Sequence, residues 1–172
     1  MKNVIKHCQN LVKPKLGRLA AVLLLGGLTI LQVGCYPGKY TGGGFIPSAA
    51  DPDEKANFGF NFHAIDNDGD GLVGGLLDEH KGRLLYHDKA AGVRIQGDVD
   101  SVSNYEGPNE GDASGTYVNQ PLNSGSGGWF HLFFVSEDRQ WFVIELYGND
   151  GSYYSNRGTV QGGKIQWHPT VE

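Results

Sequence analysis

The chain has 172 residues, of which 39% are hydrophobic and 19% charged, with a formal net charge of −5. Nineteen acids against fourteen lysines and arginines argue against a nucleic-acid partner and against electrostatic attachment to anionic lipid. The 27 glycines are spread between aromatic and β-branched runs rather than gathered in one tract, a pattern that predicts many tight turns.

The first 18 residues carry Lys2, Lys6, Lys13, Lys15 and Arg18 and no acid. Leu19 to Leu31 is an apolar run of 13 residues, short of the roughly 20 that a membrane-spanning helix needs. A basic start, a short apolar middle and a small residue before a cleavage point make a secretory signal peptide. The stretch "LQVGC", Leu31 to Cys35, resembles a bacterial lipobox, with Val33 and Gly34 ahead of the cysteine. That resemblance implies cleavage before Cys35 and attachment of lipid, palmitate among it, to the Cys35 thiol. The expected organisation is a signal peptide over 1–34, a lipidated cysteine and short tether over 35–38, and a folded domain over 39–172. An ordinary secretory signal and an uncleaved anchor are the alternatives. Cys8 lies in the segment to be removed, so the mature chain would hold one cysteine and no internal disulfide. Removal takes five of fourteen cations and no acid, leaving nine against nineteen and a net charge of −10. Tyr36 stands where an Asp often signals retention at the inner membrane. This points to the outer membrane if the bacterium has two.

Beyond the tether the pattern is of strands. "KANFGFNFHAI" places Ala56, Phe58, Phe60, Phe62 and Ala64 on one face by period-two alternation. "GRLLYHDK" follows, and "DKAAG" makes a hairpin connection to "VRIQGDVDSV". There Val93, Ile95, Gly97 and Val99 alternate with Arg94, Gln96, Asp98 and Asp100, one face dry and the other wet. "WFHLFFV" and "WFVIELY" flank the polar turn "SEDRQ", so Phe130, Leu132 and Phe134 are expected opposite Phe142, Ile144 and Leu146. Trp129, His131, Trp141 and Glu145 would then face outward. Shorter strands are predicted in "GKYTGGGFI", "SGTYVNQ", "YYSNRGTV" and "GKIQWH", and one helical turn in "SAADPDEKA". Regular short strands with turn signals predict an all-β domain, a single antiparallel barrel or barrel-like sandwich of about eight or nine strands.

The sharpest motif is "DNDGDG", where Asp66, Asp68 and Asp70 alternate as oxygen donors and Gly71 allows a turn. An EF-hand would need Glu at the twelfth position, where Leu77 stands, and the loop follows a strand. A strand-flanked calcium site and a plain acidic turn are the two readings that remain. His63, His80, His87, His131 and His168 lack close metal-ligand spacing; His63, His87 and His131 sit in strand patterns and are read as wall residues, with convergence of three histidines on zinc or another metal as the alternative. No nucleophile elbow is present and no carboxylate pair is singled out, so no catalytic residue is assigned. Glu145, an acid between Ile144 and Leu146, reads as an outward strand residue. Trp129, Trp141, Tyr153, Tyr154 and Trp167 are candidates for a sugar- or peptide-binding platform, or for core and rim packing.

"GGGFI" at 42–46, "KANFGFNF" at 55–62, "GRLLYHDK" at 82–89, "VRIQGDV" at 93–99 and the closing stretch 141–168 resemble a small secreted bacterial β-domain of unknown function, the post-COAP type. The resemblance implies a compact β fold and a secreted setting, and supplies no catalytic residues. The expected function is that of a lipid-anchored cell-envelope protein whose acidic β-domain has a binding or structural role. Its partners would be the membrane, through the anchor, and other envelope proteins or glycans. A calcium-dependent adhesion or carbohydrate-binding module is the alternative, and a secreted hydrolase a weaker one.

Overall fold

In the computed structural model, the described residues are 37–67, 79–103, 109–119, 127–136 and 140–169. They form nine strands: β1 (Gly38–Pro47), β2 (Lys55–Ile65), β3 (Glu79–Asp88), β4 (Val93–Ser103), β5 (Glu110–Asn119), β6 (Gly128–Val135), β7 (Trp141–Gly148), β8 (Tyr153–Thr159) and β9 (Gln161–Pro169). The sheet order is β8-β7-β6-β5-β4-β3-β2-β1-β9, an antiparallel meander in which β9 returns to pair with β1. The result is a nearly closed barrel, and residues Val33–Glu172 are a compact unit in their own right. The segment 48–54, expected as a helical turn, is a tight connection in which the Glu54 N–H donates to the Asp51 carbonyl.

Period-two patterning decides which way each side chain points. Phe58, Phe60 and Phe62 enter the barrel from β2, Phe130, Leu132 and Phe134 from β6, and Phe142, Ile144 and Leu146 from β7. The β6–β7 register is the one the sequence predicts: Phe130 opposite Leu146, Leu132 opposite Ile144, Phe134 opposite Phe142. Rings fill the axis. Phe58 stacks on Phe142 with centroids 4.0 Å apart, Phe60 on Phe62 at 4.4 Å, and Tyr40 meets Phe134 edge-on at 4.9 Å. Each fully buried ring contributes roughly 1.5–3 kcal/mol from burial alone.

Rings of that size need thin walls. Gly42 lies against the Phe60 ring and Gly111 against Phe134, while a Cβ on Gly97 would stand 2.7 Å from Phe130 Cε1. A small barrel is filled by setting large residues against small ones. Much of the glycine that the sequence suggests for turns is therefore in strands, beneath aromatic rings.

The seam is closed by a strand that changes partners. β8 pairs with β7 and β9 with β1, with Val160 between them. The Val160 N–H reaches the Gln140 carbonyl at 2.9 Å. Here the β7–β8 and β1–β9 ladders part, and two side-chain amides stand in for backbone. Gln140 accepts from the Ile165 N–H at 2.9 Å and donates to the Ile165 carbonyl at 3.0 Å. Asn156 donates to the Pro47 carbonyl at 3.0 Å. Buried backbone groups left unpaired would be costly, so these amides are what allows the closure.

Candidate functional site

One end of the barrel interior is polar. Asp88, at the end of β3, is fully buried. Its carboxylate accepts four hydrogen bonds: from Ser48 Oγ at 2.7 Å and the Ala91 N–H at 3.0 Å on Oδ1, and from Tyr154 OH at 2.7 Å and the Ala49 N–H at 3.1 Å on Oδ2. Tyr154 has spent its proton on Asp88, so Tyr86 donates to Tyr154 at 2.7 Å and Asn156 donates to Tyr86 at 2.9 Å. Every donor thus points toward the carboxylate. Burial works against the charge, but the bonds from Ser48, Tyr154, Ala91 and Ala49 together hold the Asp88 carboxyl below its ordinary value. Burial pushes the Tyr86 phenol up to about 12, and Tyr154 is raised further by burial and by its bonds to Tyr86 and Asp88. A saturated carboxylate with no open face is a structural tie. It joins the β1–β2 connection, the β3–β4 turn and β8.

The outer wall of β5 to β8 is different in kind. Trp129 on β6 is opposite Tyr147 on β7, which is opposite Tyr153 on β8. All three are exposed, at 37%, 41% and 57%. Their centroids step 5.3 Å and then 5.2 Å across the strands. In the adjoining row His131 lies opposite Glu145. Its Nε2 is in short contact with Asp112 Oδ2, and its Nδ1 is 3.5 Å from Glu145 Oε2. Glu145 also accepts from Tyr147 OH at 3.0 Å and Tyr153 OH at 3.2 Å. Trp129 lies nearly parallel to the His131 ring.

The hydrogen bond from Asp112 raises the His131 pKa; burial opposes this, and the charges of Asp112 and Glu145 reinforce it. The carboxylates at the two ring nitrogens favour the protonated ring, and an imidazolium so bonded has no free lone pair for general-base work. The arrangement orients rings and offers the remaining carboxylate lone pairs to a ligand.

Of the aromatics named from sequence, Trp129, Trp141 and Tyr153 are exposed outside, whereas Tyr154 is half-buried in the Asp88 network. Trp167 is half-buried against the core, and its Nε1 is buried without a hydrogen-bond partner. His63, His87 and His168 are on the outer wall, on β2, β3 and β9. Asp66 lies just after β2; Asp68 and Asp70, the rest of the calcium loop, lie outside the described residues, as does Cys35. Among the described residues no group of three or more His, Cys, Asp or Glu is placed to hold a metal ion. Sequence reading missed the Asp88–Tyr154–Tyr86–Asn156 chain and the pairing of Asp112 with His131. The first joins strands far apart in sequence and the second side chains 19 residues apart on consecutive strands, and neither spacing carries a signal.

No family model, no curated protein and no solved structure matches this chain.

Proposed function

We propose that the protein is a lipid-anchored component of the bacterial cell envelope whose barrel is a binding module for extended glycan. The lipobox-like stretch ending at Cys35 supports the anchor. A cysteine bearing two or more acyl chains holds a soluble domain durably at a bilayer, since each buried methylene contributes about 0.8 kcal/mol. The observation that carries the binding reading is the row Trp129–Tyr147–Tyr153, three exposed rings in register across adjacent strands. Such rings present large, rigid, amphipathic area. The rings step 5.3 Å and 5.2 Å across the strands with planes tilted by 43° and 52°, a stepped apolar surface on which sugar faces can pack. Glu145 and Asp112, pinned by His131 and the tyrosine hydroxyls, are placed to accept from sugar hydroxyls.

The test is a glycan array and titration calorimetry with envelope polysaccharides, using the barrel and its Trp129→Ala and Tyr153→Ala variants. The reading expects binding to linear saccharides that each variant weakens by tenfold or more, on the order of 1.4 kcal/mol. Binding unaffected by both variants, or an array silent at millimolar saccharide, contradicts it.

A further inference from the structure

The strands separate charge in a way that the chain order hides. On β9, β1, β2 and β3 the cationic side chains are Lys164, Lys39, Lys55, Lys81 and Arg83. The acids on those four strands are Glu79 and Asp88, and Asp88 is buried inside the barrel. On the outer wall of β4 to β8 the balance reverses, with Asp98, Asp100, Glu110, Asp112 and Glu145 against Arg94 and Arg157. A protein with net negative charge therefore carries one positive wall.

That wall has a defined layout. His168, Lys39, His63 and Lys81 form a single cross-strand row at the end where the chain enters β1. Glu79 pairs with Lys81 at 2.8 Å, and Asp98 approaches Arg83 at 3.8 Å. Among the described residues no carboxylate pairs with Lys39 or Lys164. Partial burial and the charges of Lys39 and Lys81 lower the pKa of His63, as expected in a positive field. At the border with β4 an open depression is lined by Asn57, Gly59, Leu85 and His87 of this wall and by Arg94 and Gln96 of β4. Leu85 is 56% exposed there, opposite Gly59 and Gln96. The acids Asp51, Asp53 and Glu54 lie beyond the wall in the β1–β2 connection, and Asp66 stands just after β2, at the end that carries this row.

We propose that the β9-β1-β2-β3 wall lies against the anionic phosphate headgroups of the membrane that holds the anchor. This rests on the anchored reading above, because Lys39 lies only four residues beyond Cys35 and a tether that short keeps its row beside the bilayer. Cations near a negative surface add to attachment while they stay within a Debye length, about 8–10 Å in ordinary salt. The acids of the opposite wall are held farther away and are screened. The orientation that follows turns the wall bearing Trp129, Tyr147 and Tyr153 away from the lipid, toward the envelope space.

The test uses the compact barrel without its lipid, residues 36–172, so that it does not depend on modification of Cys35. It is co-sedimented at low salt with vesicles of phosphatidylglycerol and phosphatidylcholine, or of phosphatidylcholine alone. The proposal expects binding only to the anionic vesicles and release at 0.5 M salt, a level chosen to shorten the Debye length to roughly 4 Å. It also expects a loss of about tenfold or more in the triple variant Lys39→Glu/Lys81→Glu/Lys164→Glu, and little change in Arg157→Glu on the other wall. Equal binding to both vesicles, no binding to either, or an equal loss in Arg157→Glu overturns it. If the triple variant does not fold, the lipid and salt dependence of the unaltered barrel decides. An intact-mass measurement on the membrane-extracted chain reports separately on the anchor.

Discussion

Tyr154 donates its phenolic proton to Asp88 across 2.7 Å, and that bond ties β8 to the end of β3 inside the barrel. It ends the relay from Asn156 through Tyr86, and it lies beside the seam where Asn156 bonds to the Pro47 carbonyl. Closure and the buried charge are thus one arrangement. Removing either partner leaves polar groups without water or bonds.

Asp88→Asn is therefore expected to cost about 2–4 kcal/mol, because an amide donor would face either Tyr154 OH and the Ala49 N–H or Ser48 OH and the Ala91 N–H. Tyr154→Phe should cost about 1–3 kcal/mol. The Asp88 carboxyl is held below its ordinary value of 3.8. Its contribution is thus full above that pH and is lost as pH falls through the folded value. Urea unfolding at pH 7 and pH 3 checks both parts: the gap between wild type and Asp88→Asn should narrow in acid.

His131 has the opposite sign. Its folded pKa is raised above 6.5 by Asp112 and Glu145. The stabilisation is present below 6.5 and is lost as pH rises through the folded value. His131→Gln should then be less stable than wild type at pH 5.5, with the difference shrinking by pH 9. Thermal melts across that range decide it; a difference that grows toward high pH contradicts the pairing.

A methyl group at Gly97 is predicted to destabilise the barrel by about 1–3 kcal/mol, since its Cβ would meet Phe130 2.7 Å away. Gly97→Ala measured alone and with Phe130→Leu should show the coupling: the smaller side chain relieves part of the cost.

Trp129→Ala and Tyr153→Ala remove exposed rings, and each should change stability by less than about 1 kcal/mol while weakening saccharide binding. Unfolding curves and calorimetry on the same samples separate the two effects.

Much of the barrel is legible in the sequence because alternation is a local property. Phe58, Phe60 and Phe62, and Phe130, Leu132 and Phe134, announce both strand and inward face, and β6 and β7 pair in register from Val135 opposite Trp141. Closure into a barrel rather than a sandwich is not local. It depends on Val160 passing the chain from β7 to β1 and on Gln140 reaching Ile165, 25 residues away. The same holds for charge. Lys39, His63, Lys81 and His168 look scattered along the chain and become one row only through strand pairing. The acidic balance that argues against electrostatic attachment to lipid describes the chain as a whole and not each wall of the barrel. Glu145 was legible as an outward residue, yet its partners Asp112 and His131 come from β5 and β6 and needed the register to be found.

The anchored reading is tested most directly by intact-mass spectrometry of the full-length chain expressed in a bacterium and extracted from its membranes. An anchored protein gives a polypeptide beginning at Cys35 with the added mass of two or three acyl chains. A chain still beginning at Met1, or one beginning at Cys35 with an unmodified thiol, would contradict it.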